Sequence, residues 1–420
     1  MLEGWNKKNS QPVKRSGVYS GSSDHGTYDL KMPDKLKLLY LSSIKTESTY
    51  SGFLLMYRHL KERSDFDLLE YGDIDFARDG ESSFYYKIFS WVKIKVDRTF
   101  LYPAFLNIEW LFQSLVITKS LNNIIKNFKP DIILTVAHGP LFWLAYKVSK
   151  KFQIPLVTIF HDWWPEFSCQ PAFARWHLDK RVRLIHQQSR VSLPVCKGMK
   201  VELGPHPDCR ILYPIPGEIK SPEQLSHSPE AKKVWRMIYT GNTCAAYGKK
   251  LMSLINKLYN QNAITLTIFT GNCDWPREVQ DQARTNGILK DFIRNDELLL
   301  ELKKYDAFLV VMGGEQKEIV RKTSFPCKTV DYLQSGRPIV AWGPSDSSVC
   351  QFIHENDCGL LVHDNDPTIL IQKVISFMDS PERQEEVIAN AGRIYDDLLS
   401  PEIVQEVFVR AISDAAGIKS

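Results

Sequence analysis

Apolar residues along this chain fall into short continuous runs separated by amphipathic stretches. LKLLYLSS (36–43), DIILTVA (131–137) and IPLVTIF (154–160) are apolar almost throughout, whereas Phe53-Leu54-Leu55-Met56 with Leu60 begins a helix leading to FDLLEY (66–71), and LFWLAYKVSKKF (141–152) repeats its large apolar side chains at helical spacing. Strands apolar on both faces, alternating with helices, predict a parallel sheet covered on both sides. The rhythm breaks in the Pro- and Ser-rich stretch 216–233, which reads as an interdomain linker. It restarts with VWRMIYTGN, ITLTIFTGN, YDAFLVVM, RPIVAWG and GLLVHDND. The expected fold class is α/β, with two doubly wound units, 35–215 and 234–395, and a ligand cleft at the carboxyl ends of their strands. Residues 1–34, rich in Ser, Gly, Asn and Lys without periodicity, read as a disordered leader. In 396–420 the apolar positions Ile403, Val404, Val407, Phe408 and Ala411 predict a helix that needs a surface to bury them.

Composition narrows the function classes. A chain of 420 residues, 44% hydrophobic, supplies two cores. Its 53 basic and 49 acidic side chains leave a net charge of +4 with no basic stripe, which argues against nucleic acid as a partner. The eight cysteines show no Cys-x-x-Cys or zinc-type spacing and read as reduced thiols of a cytoplasmic protein. Neither a membrane-spanning run nor a signal peptide is apparent. Segment 84–112 mixes ten aromatics with Lys87, Lys93, Lys95 and Arg98. It is either a surface for peripheral membrane contact or a core helix pair. The basic helix expected over 176–190 faces that segment or solvent.

The chemistry concentrates in FPCKTVDYLQSGRPIV (325–340). Pro326 suits the first turn of a helix and Gly336 its left-handed stop, so Lys328 and Asp331 share one face near the helix start. Two readings stand: a site for a phosphate at that helix start, or a surface i,i+3 ion pair. His138 and His161 directly follow apolar strands and so fall on the cleft rim, as active-site groups or as satisfied loop histidines. Asp162 either joins them or caps a helix ahead of WWPE. Trp163 and Trp164 stack on a sugar or fill the seam between domains. Gly241 and Gly271 stand where strand meets loop, letting backbone approach a phosphate or base, or simply making a tight turn. Asp73/Asp75 and Asp364/Asp366 have Asp-x-Asp spacing but read as a loop and an N-cap turn, so no metal site is assigned.

YTGN (239–242), TGN (270–272), FPCKTVDYLQSGRPIVAWG (325–343) and CGLLVHDNDPTILIQKVISFMDSPERQEEVIANAGR (358–393) together resemble the nucleotide-sugar domain of retaining GT-B glycosyltransferases of the family 4-like, group 1 type. PDIILTVAHG, PLVTIFHDWWPE and VCKGMKVELG followed by ILYPIPG resemble its first domain more loosely. The resemblance implies the GT-B fold, two Rossmann-like domains facing each other across a cleft, with the last helix crossing back to the first domain. It implies transfer of a sugar from a nucleotide-diphosphate donor to a sugar or lipid-linked acceptor, with retention of configuration, no metal, and no cofactor beyond the donor itself. Asp331 matches the carboxylate that holds the ribose hydroxyls. Lys328 and Thr329 lie by the diphosphate, with Gly241, Asn242, Lys249 and Gly271 around it. Thr323 stands where the family has its first Glu, and Asn242 where it has Arg. His138 matches the histidine near the donor sugar. The alternatives are a nucleotide-sugar epimerase and a non-catalytic nucleotide-sugar-binding protein.

Overall fold

The computed structural model describes residues 35–48, 51–64, 66–73, 75, 117–167, 172–217, 234–313 and 316–418, with isolated positions 91, 92, 95, 99 and 105. The expected leader 1–34, almost all of segment 84–112, and the linker beyond Gly217 lie outside the described residues. Leu36–Ser420 form one compact unit that contains two sheets.

In the first sheet β1 (Lys37–Leu41), β2 (Asp67–Tyr71), β3 (Ile132–Val136), β4 (Leu156–Phe160) and β5 (Val191–Pro194) run parallel in the order β2-β1-β3-β4-β5. Every residue of β3 and β4 is buried, the consequence of helices on both faces. In the second sheet β6 (Trp235–Thr240), β7 (Ile264–Thr270), β8 (Leu289–Asp291), β9 (Ala307–Val311), β10 (Ile339–Trp342) and β11 (Leu360–Val362) are also parallel, in the order β11-β10-β9-β6-β7-β8. Each sheet winds outward one way and then returns to the other side of its first strand. The resulting switch points lie between β1 and β3 and between β6 and β9, where ligands bind in open sheets of this kind.

Six helices matter to the site: α1 (Ser51–Tyr57), α2 (Leu141–Phe152), α3 (Ala172–Gln188), α4 (Ala245–Leu258), α5 (Lys328–Leu333) and α6 (Pro401–Ala415). The chain after α5 turns at Gly336 with φ +67°, the left-handed conformation expected of that residue. One apolar cluster runs from Leu39, Phe142 and Phe160 through Phe325 to Phe308 and Tyr332, so it binds the first sheet to the inner face of the second. A second cluster fills the outer face of the second sheet. α6 packs on β4 and β5. There the Phe408 ring stacks on His59 at 4.5 Å, and Asp414 pairs with Arg210 at 2.7 Å. Among the described residues no helix is long and apolar enough to cross a membrane.

Candidate functional site

The second sheet contributes a lysine at its switch point. Lys328, on the first turn of α5, donates to the Thr240 carbonyl at the end of β6 at 2.7 Å, and its ammonium lies 3.5 Å above the Tyr239 ring. Tyr332, one turn later, takes the other side of Thr240: its hydroxyl accepts from Thr240 N at 3.2 Å and bonds Thr240 Oγ1 at 2.9 Å. The two side chains clamp α5 onto the strand end. No carboxylate among the described residues pairs with Lys328, and burial lowers its pKa to about 7. Gly241 follows at φ +129°, and a Cβ there would stand 3.4 Å from the Lys328 ammonium, so a side chain would crowd the cation.

Asp331 takes a different direction. Its Oδ1 accepts from Gly217 N at 3.0 Å, in the segment that follows the first sheet. Burial raises its pKa, opposed by the Arg58 guanidinium and by the Gly217 bond. Arg58 itself donates to the Ile215 carbonyl at 2.6 Å from the π-helical turn Arg58–Glu62 that continues α1. The lysine and the aspartate therefore form no i,i+3 ion pair. Thr329 is fully buried, with no hydrogen-bond partner for its hydroxyl among the described residues. Thr323 is buried too, and its hydroxyl donates back to the Ile319 carbonyl at 2.6 Å.

The first sheet brings its loops to the same place. His138 follows β3 and lies against Trp164, ring centroids 3.7 Å apart and the planes tilted by 37°. Burial lowers its pKa to about 4, helped by the neighbouring His161, whose own pKa burial also lowers to about 4. Both imidazoles are neutral at physiological pH. Asp162 does not cap the helix after it: its Oδ1 accepts from Ser324 Oγ at 2.9 Å, joining the loop after β4 to the segment that leads into α5. Burial raises the Asp162 pKa against that hydrogen bond. Trp163 is 1% exposed and donates to Asp179 at 3.1 Å, a packing role, while Trp164 is the one of the pair that reaches His138.

Of the remaining expected residues, Asn242 is exposed and caps its own turn, its Oδ1 accepting from Cys244 N at 3.0 Å. Lys249 is exposed on α4, and its neighbour Lys250 is the buried cation. Lys250 donates to the Met312 and Trp342 carbonyls at 3.3 and 3.4 Å and to Asn365 at 3.1 Å, and burial lowers its pKa to about 8. Gly271 directly follows β7, and a Cβ there would lie 3.6 Å from Phe292, a residue 57% exposed just past β8. Asp366 caps the helix Pro367–Met378 through Thr368 N at 2.8 Å, and Asp75 accepts from Gly72 N at 2.8 Å. Among the described residues no group of three or more His, Cys, Asp or Glu is placed to hold a metal.

The sequence reading missed Arg58, Tyr239, Tyr247, Phe292 and Ser324. Tyr247, raised in pKa by burial, lies within electrostatic reach of Asp162, and Tyr239 lies within reach of Tyr247. Tyr239 opens YTGN and Ser324 directly follows Thr323, so their positions could have flagged both. Arg58 carries no local signal, because its partners lie far along the chain.

Residues 55–206 match the model of Glycosyltransferase Family 4. No curated protein matches the sequence. Among solved structures, sucrose-phosphate synthase from Thermosynechococcus elongatus aligns with a TM-score of 0.63 at 10% identity, covering 92% of this chain and 100% of its own. Anabaena HepE in complex with UDP-glucose aligns with a TM-score of 0.58 at 11% identity, covering 90% and 100%. A putative UDP-N-acetylglucosamine 2-epimerase from Listeria monocytogenes aligns at 0.51 and 11% identity, covering 92% and 98%. At such identities the likeness is one of fold, and the fold is GT-B.

Proposed function

We propose that this GT-B chain is a glycosyltransferase that moves a sugar from a nucleotide-diphosphate donor to a hydroxyl acceptor. The observation that carries this reading is Lys328: a cation at the β6/β9 switch point, backed by a carbonyl and an aromatic face instead of a carboxylate. Such a group is stabilised by an incoming anion, and a diphosphate supplies one. The fold shared with HepE, solved with UDP-glucose, supports the donor class.

In this reading the diphosphate meets Lys328 beside Gly241, and the ribose hydroxyls meet the Asp331 oxygen that Gly217 leaves free. Thr240 pairs with Phe269 and Thr270 with Asp291, so Gly241, Gly271 and Phe292 follow in step along the strand ends. β6 and β8 are two strands apart, roughly 9–10 Å, a span that takes the base of a nucleotide whose phosphates sit at β6 to the exposed Phe292 ring. His138, neutral and braced by Trp164, donates or accepts a hydrogen bond beside the donor sugar.

The bond between the sugar C1 and the diphosphate oxygen breaks as the acceptor oxygen bonds to C1 on the same face. The departing phosphate oxygen takes the acceptor proton, so no protein nucleophile is required and configuration is retained. Lys328 stabilises the charge that develops on the leaving group, which is why the reaction is proposed to need no metal. The acceptor is a sugar or a lipid-linked sugar, and the setting is cytoplasmic.

The testing experiment incubates the purified chain with a panel of nucleotide sugars and acceptors, and reads the product anomer by NMR with and without chelator. An inverted product, or activity lost to chelator and restored by manganese, overturns the mechanism. The fold likeness to the epimerase sustains a second reading, which the same assay separates, because epimerisation changes the nucleotide sugar without any acceptor.

A further inference from the structure

Arg58 is a buried cation with few bonds. It is 5% exposed, set between the buried side chains of Met56 and Leu60, and among the described residues its guanidinium donates to the Ile215 carbonyl alone, at 2.6 Å. No described carboxylate is in contact with it, so no contact offsets the cost of burying its charge. A carboxylate within its electrostatic reach is Asp331.

Backbone joins the two. Arg58 holds the Ile215 carbonyl, and two residues on the Gly217 amide donates to Asp331 Oδ1 at 3.0 Å. Residues 215–217 are thus a short bridge with the cation at one end and the carboxylate at the other. The turn that carries Arg58 is itself fixed from the far end of the chain. Gln405 of α6 donates from Nε2 to the His59 and Arg63 carbonyls at 3.2 and 3.1 Å, and its Oε1 lies 2.7 Å from His59 Nδ1. With the amide nitrogen committed as donor, that oxygen accepts, so the His59 ring proton sits on Nδ1. The guanidinium is held in place before any ligand arrives.

Asp331 keeps one oxygen that no described residue occupies. A ribose diol donates its hydroxyl protons better to a carboxylate than to a neutral carboxyl, which has exchanged an acceptor site for a donor. Burial favours the neutral form of Asp331, whereas Arg58 and the Gly217 amide favour the ionised one. The other titratable groups facing this carboxyl are the hydroxyls of Tyr332, on α5 itself, and of Tyr395, which donates to Gln334 Oε1 at 3.1 Å. Burial raises the pKa of both, so both are neutral.

We propose that Arg58 is a positioning residue for the nucleotide: by its charge and through the 215–217 bridge it keeps the Asp331 carboxylate aimed at the ribose hydroxyls and able to accept from them. The proposal rests on the reading of Asp331 as the ribose acceptor. It makes ribose recognition by α5 depend on a turn that belongs to the first domain.

The experiment is calorimetric titration with UDP, with its 2′,3′-dideoxy analogue and with pyrophosphate, from pH 6 to 8. The ratio of the two nucleotide affinities isolates the ribose, because the phosphates, and the Lys328 they meet, are common to both. Wild type should prefer UDP by about tenfold or more, equally across that range. Arg58→Gln keeps a donor for the Ile215 carbonyl and removes the charge. It should lose about tenfold of the preference at pH 6, the equivalent of one pKa unit, and regain it as pH rises, with pyrophosphate affinity unchanged. Arg58→Lys restores the charge and should restore most of the preference. Arg58→Gln with the wild-type preference at every pH, or with an equal loss for pyrophosphate, overturns the proposal. So does a wild-type preference that falls on acidification from pH 8 to 6, a result that needs no variant to fold. If Asp331→Ala keeps the preference, the ribose reading fails and the proposal with it. If that variant loses the preference while Arg58→Gln does not, the reading stands and Arg58 alone is dismissed.

Discussion

Lys328 and Asp331 stand one helical turn apart on α5 and do not pair: the lysine reaches the Thr240 carbonyl at 2.7 Å, the aspartate the Gly217 amide at 3.0 Å. Each is bound to a different strand end or chain crossing. The lysine, when protonated, offers a cation that no described carboxylate neutralises, and the aspartate keeps an oxygen available. A surface ion pair would have spent both.

Because burial holds Lys328 at about pKa 7, the empty site loses its cation as pH rises through 7, whereas a bound diphosphate stabilises the charged form. Affinity for UDP-glucose, whose diphosphate charge is constant here, should be level below pH 7 and fall about tenfold per pH unit above it. Lys328→Met should bind about ten- to a hundredfold more weakly at pH 6, with no pH dependence. Calorimetry at pH 8 in buffers of different ionisation enthalpy should register proton uptake. A wild-type affinity flat from pH 6 to 9 would dismiss Lys328 as the phosphate cation.

Asp331→Ala should cost about 1.5–3 kcal/mol of nucleotide affinity, the range for hydrogen bonds to a charged acceptor. Wild-type protein should discriminate against a nucleotide lacking ribose hydroxyls, and the variant should not. Discrimination that survives the substitution would place the ribose elsewhere.

His138→Ala should cut turnover about ten- to a thousandfold with nucleotide affinity little changed, as removal of one transition-state contact does. Since burial keeps the His138 pKa near 4, it contributes no inflection to the pH–rate profile around 6.5. An inflection there that vanishes in the variant would contradict the environment described.

Phe292→Ala should weaken nucleotide binding by about 1–3 kcal/mol, the range for base–aromatic stacking. Pyrophosphate binding should be untouched. Equal losses for both ligands would mean that the ring supports the loop and does not stack on the base.

Acid should destabilise the protein in a window to which its buried histidines contribute. Burial lowers His59 to about 3 and His138 and His161 to about 4, below the ordinary histidine range. Between about pH 6.5 and 4 the unfolded chain binds protons that the folded chain refuses, so stability rises with pH and is lost on acidification. Melting temperatures from pH 7 to 5 should fall with a net uptake of protons on unfolding, which His186, also lowered by burial, increases and Asp162 and Asp331, raised by burial, reduce; His59→Asn should remove about one proton from it. An unchanged slope in that variant would falsify the assignment of His59 to the window.

The fold class was legible in the chain because strands buried on both faces must be apolar throughout. β3, β4, β6, β7, β9 and β10 all coincide with such runs. Beside β2, an edge strand with Asp67 and Glu70 exposed, two strands carried no such signal. β5 is four residues ending in Pro194, which an edge position tolerates, and β8 is three residues with two exposed charges. Local sequence also fixed the left-handed turn at Gly336 and the cap at Asp366, since both depend only on the backbone beside them.

What tertiary structure decided was direction. Lys249 and Lys250 are neighbours about 100° apart on one helix, so only the placement of α4 on the sheet could send one to solvent and the other under the Met312 and Trp342 carbonyls. The same holds for Trp163, turned to Asp179, and Trp164, turned to His138. Thr323 stands at the expected site position, but its hydroxyl bonds within its own helix. Arg58, His59 and Gln405 meet from opposite ends of the chain, where His59 Nδ1 lies 2.7 Å from Gln405 Oε1. Periodicity tells which residues share a face. Which face meets the cleft depends on contacts hundreds of residues apart, which no local pattern encodes.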